Sequence, residues 1–317
     1  MRILVLGGSG FVGRQVVRAL ERRGHAVIVG TRRPAARHPC PAREAHFEDL
    51  VEPKSWERLL SGVDAVVNAV GILRERRRET YERVHHLAAA ALARACARRG
   101  ARLLHVSALG LHAGARSGFI ASKLAGERAV AASGADYCIV RPSLLDGEGG
   151  FGARWLRRVA GWPVHLVPAD AAGRIAAFDV RDLGEAIAAL CDQPGAPPRE
   201  AELGGMRAFT MAEYLHALRA AKDLKPALRV SVPGWLARAV SHVCDLLHFS
   251  PFSFGHWELM QRDNVPCPNL LPRLLGRAPL PIGRIRLNDK NPEPAPRLGV
   301  RRRRRRPAGP RHRPEAA

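Results

Sequence analysis

The feature that most constrains this chain is a glycine-rich turn between a short apolar run and a helical pattern. Residues 3–6 are continuously apolar, which predicts a buried strand. Beyond the turn, apolar residues recur at four-residue spacing, and Gly24 stands where a helix would end. A strand, a tight turn and a helix in this order predict the first part of a βαβ unit. The recurring apolar residues are Val12, Val16 and Leu20.

The spacing of the glycines predicts what the turn binds. Gly7 permits a tight turn, Gly10 lets backbone amides approach a diphosphate, and Gly13 lets the helix pack closely against the strand. The start of the helix adds unpaired N–H groups and a partial positive charge, which favour phosphate. Because both flanking elements are present, a nicotinamide dinucleotide site is favoured over a turn that binds nothing. The site comprises Gly7, Gly8, Ser9, Gly10, Phe11, Val12 and Gly13.

The chain divides into three regions by pattern. Over residues 1–150, short apolar runs alternate with amphipathic helical stretches, as in a parallel sheet built from βαβ units. Residues 151–290 are less regular and richer in aromatic residues, which predicts a smaller, mostly helical C-terminal lobe for a substrate or partner. Residues 291–317 are rich in arginine and proline and predict a disordered basic tail. The expected fold class is α/β, a Rossmann-type doubly wound parallel sheet carrying this lobe and tail.

Charge limits the partners of the chain. The net charge is +22 over 317 residues, and residues 297–317 alone contain nine arginines. Such a field favours anionic partners but does not choose among phosphate-bearing cofactors, acidic lipid and nucleic acid. Because no nucleic-acid recognition motif accompanies the charge, specific nucleic-acid binding is disfavoured.

Location and metal binding are constrained by patterns that the sequence lacks. No uncharged apolar run approaches the roughly 18 residues that span a bilayer, and the first residues turn into glycines too early for a signal peptide. The six cysteines are far apart and have no metal-ligand spacing. We therefore expect a cytoplasmic protein with reduced thiols and no metal site.

The end of the second strand predicts which dinucleotide is preferred. An NAD-selective site usually places a carboxylate there for the ribose 2′-hydroxyl, whereas this chain has Thr31, Arg32 and Arg33. A guanidinium binds a 2′-phosphate through paired hydrogen bonds, so NADP(H) is favoured over NAD(H). The alternative is that both arginines are simply solvated.

Two further stretches follow strands at places where cofactor contacts are expected. Asp49 and Leu50 come after the third strand, although Asp49 has the alternative role of capping a turn. After the fourth strand, a loop of small residues would let the backbone pass close to the adenosine half of the cofactor. This loop is Asn68, Ala69, Val70 and Gly71.

Taken in order, these motifs and several later ones resemble the atypical short-chain dehydrogenase/reductases of the NAD-dependent epimerase/dehydratase type. In particular, the chain resembles the bacterial relatives of the NAD(P)H-binding accessory subunit of mitochondrial complex I. The later motifs are residues 105–110, Lys123, residues 141–143, 202–205 and 263–265, so the resemblance runs to about residue 265. It extends the expected cofactor contacts to Val106, Ser107, Lys123, Arg141, Pro142 and Ser143.

The resemblance also implies catalytic positions. In the enzymes of this superfamily, a Ser orients the substrate carbonyl, a Tyr exchanges a proton with the substrate oxygen, and a Lys four residues later holds the ribose and lowers the Tyr pKa. These positions correspond to Ser107, Phe119 and Lys123. A phenyl ring cannot exchange a proton, and such acid–base catalysis contributes about 10²- to 10⁴-fold in rate. The usual reaction should therefore be severely impaired.

Two functions follow from this departure. The favoured one is an NAD(P)H-binding protein with weak or no catalysis, linked to a respiratory complex or to quinone metabolism. The alternative is an active NADP(H)-dependent reductase or epimerase-like enzyme with a substituted proton donor. Four residues are candidates to replace the tyrosine as proton donor, although none of them stands at the spacing of the family. They are Ser107, Tyr81, His112 and Ser117.

The apolar residues beyond residue 150 leave the hydrophobic partner open. The aromatic residues either form ordinary core or line a pocket for a hydrophobic small molecule such as a quinone. Residues 235–247 have helical periodicity and an apolar face, which either docks on the sheet domain or rests on a membrane. The arginine run either adds attraction to an anionic membrane or a membrane complex, with peripheral contact at the inner face of the cytoplasmic membrane, or is simply a solvated tail.

Overall fold

A seven-stranded, wholly parallel sheet forms the centre of the fold. The computed structural model describes residues 1–34, 40–247 and 252–283, so the predicted basic tail lies outside the described residues. With strands numbered in chain order, the sheet consists of β1 (Arg2–Leu6), β2 (Ala26–Thr31), β3 (Ala42–Glu44), β4 (Ala65–Asn68), β5 (Arg102–Val106), β6 (Tyr137–Pro142) and β11 (Glu200–Leu203). The strand order is β11-β6-β5-β4-β1-β2-β3. This order reverses direction beside β1, which confirms the predicted doubly wound, Rossmann-type fold.

Helices cover both faces of the sheet because its strands are apolar on both sides. On one face, α1 (Phe11–Arg22) packs against α5 (Val180–Cys191), and their apolar residues share a core with β1. On the other face lie α2 (Ala88–Arg99) and α3 (Gly118–Ala131). A π-helical turn, Glu82–Leu87, precedes α2, and short 3₁₀ turns occur at Phe47–Asp49 and Pro53–Trp56.

The remaining elements form the predicted helical lobe with short strand pairs. Its helices are α4 (Phe151–Ala160), α6 (Met211–Ala220), α7 (Gly234–Leu247) and α8 (Phe254–Leu259), whereas α9 (Leu271–Leu275) packs against α5 in the sheet layers. The strand pairs are β7 (Leu145–Asp146) with β10 (Phe178–Asp179), β9 (Arg174–Ile175) with β12 (Phe209–Thr210), and β8 (Val164–Pro168) with β13 (Leu228–Val232). A separate apolar cluster around Tyr214 and Leu218 packs α6 against α4.

Residue 150 does not mark the end of the sheet domain. Both β11 and α5 belong to the sheet layers, although the sequence pattern assigns their residues to the second lobe. The strand is only four residues long and contains two glutamates, so it carries no strong strand signal. At Gly184 of α5, a Cβ would lie 2.6 Å from the carbonyl oxygen of Gln15 in α1. This close approach joins the two parts of the chain into one core.

Candidate functional site

A large cleft opens at the carboxyl ends of the strands, where the direction of the strand order reverses. Its volume is about 1100 Å³. The glycine-rich turn between β1 and α1 lines one end, and aromatic and aliphatic residues of α4, β8 and α7 line the other. One continuous cavity therefore joins a polar, backbone-rich end to an apolar end.

Close contacts within the glycine-rich turn explain why glycine is required there. Gly7 has a φ of +72°, and its carbonyl oxygen accepts a 2.8 Å hydrogen bond from the N–H of Gly10. A Cβ at Gly13 would lie 2.1 Å from that same oxygen. No side chain caps the start of α1, whose first turn also lacks an acidic residue. The turn therefore presents uncapped backbone amides to the cleft, as an anion site requires.

Five of the seven turn residues line the cleft directly. Gly8 and Gly13 are not among them, and a Cβ at Gly8 would lie 2.9 Å from a methyl carbon of Val29 in β2. These two glycines instead allow the turn to fit closely against the sheet. The residues that line the cleft are Gly7, Ser9, Gly10, Phe11 and Val12.

An acidic residue that the sequence pattern did not reveal lies beside the end of β2 in the cleft. Thr31 and Arg32 line the cleft, whereas Arg33 does not. Arg32 forms an ion pair with the carboxylate of Glu79, which also lines the cleft. Any anion that binds Arg32 must therefore compete with this carboxylate, although β2 itself ends without one.

The loop after β4 is fixed by its first residue. The amide oxygen of Asn68 accepts a hydrogen bond from the N–H of Val70 at 3.1 Å, and its nitrogen lies 3.0 Å from Nδ1 of His105. Asn68 is buried beneath the cleft, and the three residues after it line the cleft. Those residues are Ala69, Val70 and Gly71.

Asp49 and Leu50 do not line the cleft, although the residues just before them, Phe47 and Glu48, do. The carboxylate of Asp49 instead lies 3.8 Å from the guanidinium of Arg83. The ligand atoms of Asp49, Glu48 and His46 also lie within 4.8 Å of one another, which is a spacing that a metal ion would allow. Within this cluster, Asp49 faces the cation of Arg83.

Ser107, Phe119 and Lys123 meet in the cleft beside the loop after β4. The hydroxyl oxygen of Ser107 is buried and has no hydrogen-bond partner within the described part of the chain. The Lys123 Nζ lies 5.9 Å from the centroid of the Phe119 ring, and it would lie 3.9 Å from a Cβ at Gly71. The fold therefore brings together the three positions that the resemblance implies, with a phenyl ring in place of the phenol.

Two buried imidazoles sit close to Lys123 and both are neutral at physiological pH. In the π-helical turn, His85 accepts a hydrogen bond from the N–H of Ile72 at 3.1 Å, and its other ring nitrogen lies 3.1 Å from the Ser122 hydroxyl. Burial and the positive charge of Lys123 hold the pKa of His85 well below its usual value. The same two causes lower the pKa of His105 to about 3.

Burial also perturbs the ammonium group itself. It lowers the pKa of Lys123 to about 8, even though the carboxylate of Glu127 acts in the opposite direction. Groups with a pKa near the ambient pH are the ones suited to proton transfer. Lys123 therefore combines a position in the cleft with a proton that is available near neutrality.

Apart from Ser107, which lines the cleft, the replacement donors suggested by sequence are placed less well. The hydroxyl of Tyr81 donates to the carbonyl oxygen of Leu73 at 2.9 Å, and burial raises its pKa to about 12. Neither Tyr81 nor His112 nor Ser117 lines the cleft. A closer group is His256 of α8, whose ring stacks on Phe119 at 5.7 Å between centroids. Burial lowers the pKa of His256 to about 4, so it is a neutral imidazole at pH 7.

Helix α8 also fixes the start of α3, which carries Phe119 and Lys123. The buried carboxylate of Glu258 accepts hydrogen bonds from the N–H groups of Arg116 and Ser117, at 2.9 and 3.0 Å. An acceptor at this place satisfies amides that a helix start otherwise leaves unpaired. No local sequence pattern signals this contact, because the two segments are about 140 residues apart.

The residues at the end of β6 and just after it have largely structural partners. Arg141 does not line the cleft, and its guanidinium bonds the carboxylates of Glu127 and Glu200. Pro142 and Ser143 do line it, as does Val106 at the end of β5. The Ser143 hydroxyl donates to the carbonyl oxygen of Asn264 at 2.6 Å. It thereby holds the segment 263–265 against the sheet.

The far end of the cleft is apolar and rich in aromatic residues. Trp155 and Trp162 meet edge to face, with ring centroids 6.0 Å apart. Of the two alternatives that the sequence leaves open for the aromatic residues beyond residue 150, core or pocket, several of them take the second and line this cavity. The apolar residues at this end include Phe151, Trp155, Leu156, Trp162, Leu166, Leu215, Leu236 and Val240.

Comparison with known proteins agrees with the resemblance drawn from the motifs. The model of the NAD dependent epimerase/dehydratase family matches residues 3–204. The chain is 31% identical to a ceramide reductase of Caulobacter vibrioides, over 83% of this chain and 86% of that protein. It is 27% identical to NADH dehydrogenase [ubiquinone] 1 alpha subcomplex subunit 9 of Dictyostelium discoideum, over 67% of this chain and 61% of that protein.

Solved structures resemble the fold. A nucleoside-diphosphate-sugar epimerase from Staphylococcus aureus matches with a TM-score of 0.71 at 15% identity, over 89% of this chain and 98% of that one. The sequence match, the sheet order and the glycine-rich turn agree with one another. This chain belongs to the NAD-dependent epimerase/dehydratase family.

Proposed function

We propose that this protein is an NADP(H)-dependent reductase that acts on a carbonyl group of a long-chain lipid. The observation that carries the proposal is the continuity of the cleft, in which the glycine-rich turn and an apolar end share one cavity. A polar substrate would leave the tryptophans and leucines of the apolar end without a matching partner. A lipid chain would cover them while its carbonyl group lies near Ser107.

The residues of the turn fit a dinucleotide. A Cβ at Gly13 would meet the Gly7 carbonyl oxygen at 2.1 Å, so the turn is compact enough to direct its amides into the cleft. The unpaired hydroxyl of Ser107 supports a ligand at the other end of the cofactor site. Gly10 and the start of α1 would hold the diphosphate, and Lys123 would hold the nicotinamide ribose. When bound, NADPH supplies a hydride.

Three residues of this chain would contact the substrate and act on its carbonyl group or border it. Ser107 donates a hydrogen bond to the carbonyl oxygen of the substrate and so orients it. Lys123 delivers a proton to that oxygen, which becomes the hydroxyl of the product, and takes up a new proton from solvent. Its pKa of about 8 supports this role, because the ammonium form predominates at pH 7 and gives up its proton readily. Phe119 contributes only an apolar wall.

The substrate class is supported by the relatives as well as by the cavity. The match that covers 86% of its relative's length is to a protein named as a ceramide reductase, and ceramides carry two long apolar chains. A quinone, the hydrophobic partner suggested by sequence, would also suit an apolar cavity. The extent of the apolar end, which involves α4, β8 and α7, favours an elongated chain over a single ring.

A second function is supported by one specific observation, the phenyl ring of Phe119 at the position where the family carries a tyrosine. Without the hydroxyl, the protein would hold its cofactor as a structural or sensing ligand within a larger assembly. The relative from Dictyostelium discoideum, named as a subunit of NADH dehydrogenase, supports this reading. The two functions differ in whether the bound cofactor is ever consumed.

The substitution Phe119→Tyr tests which function applies. If the protein is a reductase, restoring the phenol beside Lys123 should raise kcat for a long-chain keto lipid by about 10- to 100-fold, because a stronger proton donor is added. The measurement is NADPH oxidation followed by absorbance in detergent micelles, with product identified by mass spectrometry. Phe119→Leu is the control, since it also removes the ring but supplies no hydroxyl, and it should not increase the rate.

Three outcomes are distinct. Steady turnover by the unmodified protein supports the reductase. Turnover by Phe119→Tyr alone supports a reductase ancestry with a cofactor-holding role today. Binding of NADPH with no turnover by either protein contradicts the proposed reaction and supports the second function.

The preference for NADP(H) has its own test, because Arg32 is paired with Glu79. Arg32→Ala should weaken NADPH binding by about tenfold and leave NADH binding nearly unchanged, since only NADPH carries the 2′-phosphate. Glu79→Gln should strengthen NADPH binding, because the competing carboxylate is removed. Dissociation constants are measured by fluorescence titration. Arg22→Ala is a matched control, since Arg22 at the end of α1 forms an exposed ion pair with Glu185 of α5. Equal losses for both cofactors in Arg32→Ala would contradict the preference.

A further inference from the structure

Helix α7 exposes an apolar face of unusual extent. Its buried side is narrow and consists of Ala237, Ser241 and Cys244. With 3.6 residues per turn, the exposed apolar residues occupy an arc of about 140° on the other side. Trp235 is 73% exposed and Leu246 is 78% exposed. The residues of this arc are Trp235, Leu236, Ala239, Val240, Val243, Leu246 and Leu247.

The arc is continuous with the mouth of the cleft. Leu236 and Val240 belong both to the arc and to the lining of the apolar end. On the neighbouring strand pair, Leu166 faces Val230 in register, and both are exposed. Phe151 and Trp162, at the ends of α4, are exposed beside the same cavity. We name this combined surface, formed by α7, β8, β13 and the ends of α4, the apolar rim.

Arginines predominate among the charges around the apolar rim, although Asp170, beside Gly234 at the start of α7, and Asp245 are acidic. Helix α4 and strands β8 and β13 contain no acidic residue, whereas α4 carries three arginines, of which Arg157 is paired with Asp146. Arg229 of β13 and Arg238 of α7 are exposed. The acidic residue of α7, Asp245, is paired with Arg74 and is therefore compensated. An apolar surface bordered by arginines and tryptophans complements a lipid bilayer with anionic headgroups.

We propose that the apolar rim docks this protein on an anionic lipid bilayer, with the mouth of the cleft facing the hydrocarbon. We favour the bilayer over a folded partner protein because the cleft opens within the apolar rim, where Leu236 and Val240 both line the cleft and are exposed. The docking proposal rests on the proposed function in one respect, because it makes the bilayer the source of the lipid substrate. A lipid chain could then pass from the bilayer into the cleft without crossing water.

The test measures binding of the full chain to vesicles. Wild-type protein should co-sediment with vesicles of phosphatidylcholine mixed with phosphatidylglycerol. Leu246→Glu combined with Trp235→Glu should reduce this binding by at least tenfold, because two apolar contacts with the bilayer are replaced by charges that the anionic headgroups repel. Arg238→Glu should weaken it by about fivefold or more, through the lost electrostatic attraction. The arginines of residues 297–317 are present in every variant, so differences between variants report the rim.

The matched control is Met206→Glu, which places the same charge at an apolar residue that is 68% exposed and does not line the cleft. It should bind vesicles like the wild type apart from the small effect of one added charge. All variants should retain NADPH affinity, because none of the substitutions touches the glycine-rich turn. If the wild type did not bind NADPH, that result would contradict the proposed function and leave the docking test unaffected.

Two results would overturn the docking proposal. One is equal vesicle binding by the wild type and by the double variant, which would assign any binding to the arginine-rich sequence. The other is a concentration-dependent dimer in analytical ultracentrifugation that the double variant abolishes, because the face would then be an interface between two copies of this chain.

Discussion

Replacing Gly13 with alanine is expected to abolish measurable NADPH binding and to destabilise the protein. The added methyl group would lie 2.1 Å from the carbonyl oxygen of Gly7 and 2.7 Å from its carbonyl carbon. Neither atom can move away easily, because both belong to the backbone of the turn that joins β1 to α1. Overpacking of this kind costs about 1–3 kcal/mol or more, and the displaced turn no longer directs its amides at one point. The measurements are urea unfolding and NADPH fluorescence titration.

Gly114→Ala is the matched control. Gly114 lies in the loop before α3, and a Cβ there would meet its nearest neighbour, a ring nitrogen of His112, at an ordinary distance of 3.7 Å. This variant should keep both its stability and its cofactor affinity. If Gly13→Ala bound NADPH as tightly as Gly114→Ala, the close fit of the turn would have no part in cofactor binding.

The glycine-rich turn was predictable from sequence because all of its determinants are local. A continuous apolar run, three spaced glycines and a helical pattern follow one another within about 20 residues, and the fold adds only their close contact. The same holds for the loop after β4, whose small residues directly follow a buried strand. Both parts of the site are therefore determined by residues that are close together in the sequence.

The missing parts all depend on contacts between distant segments. Glu79 reaches Arg32 from a position 47 residues further along the chain, and His256 stacks on Phe119 across an even larger separation. No pattern near either residue signals the contact. A sequence reading of the end of β2 alone therefore finds two arginines and no carboxylate, whereas the folded site contains both charges.

Charge pairing explains why two expected contacts are not at the cleft. Asp49 comes after β3 and Arg141 lies near the end of β6, yet their charged groups turn to Arg83 and to Glu127 with Glu200. A backbone position is specified by the alternation of strands and helices, but the direction of a charged group depends on which opposite charges the fold brings near it. Sequence position was therefore a better guide for Ser107 and Gly71 than for these residues.

Lys123→Met should reduce kcat for a long-chain keto lipid by on the order of 100-fold or more, because the proposed proton donor is removed. NADPH binding should weaken as well, through the lost contact with the ribose. Folding should not suffer: burial lowers the pKa of Lys123 from 10.5 to about 8, so the charged form is disfavoured in the folded state. This cost is present below pH 8 and is relieved as pH rises from about 8 to 10.5. At pH 7 the variant should therefore have a thermal midpoint no lower than that of the wild type.

The pH profile separates proton donation from cofactor positioning. In the wild type, kcat should be constant below pH 8 and fall about tenfold per pH unit above it, as the ammonium group loses its proton. Lys123→Arg keeps a positive charge for the ribose but stays protonated throughout this range, so its residual kcat should show no decline near pH 8. A wild-type profile that stays flat between pH 7 and 10, or a decline that persists unchanged in Lys123→Arg, would assign the proton to another group, with the neutral imidazole of His256 the nearest alternative in the cleft.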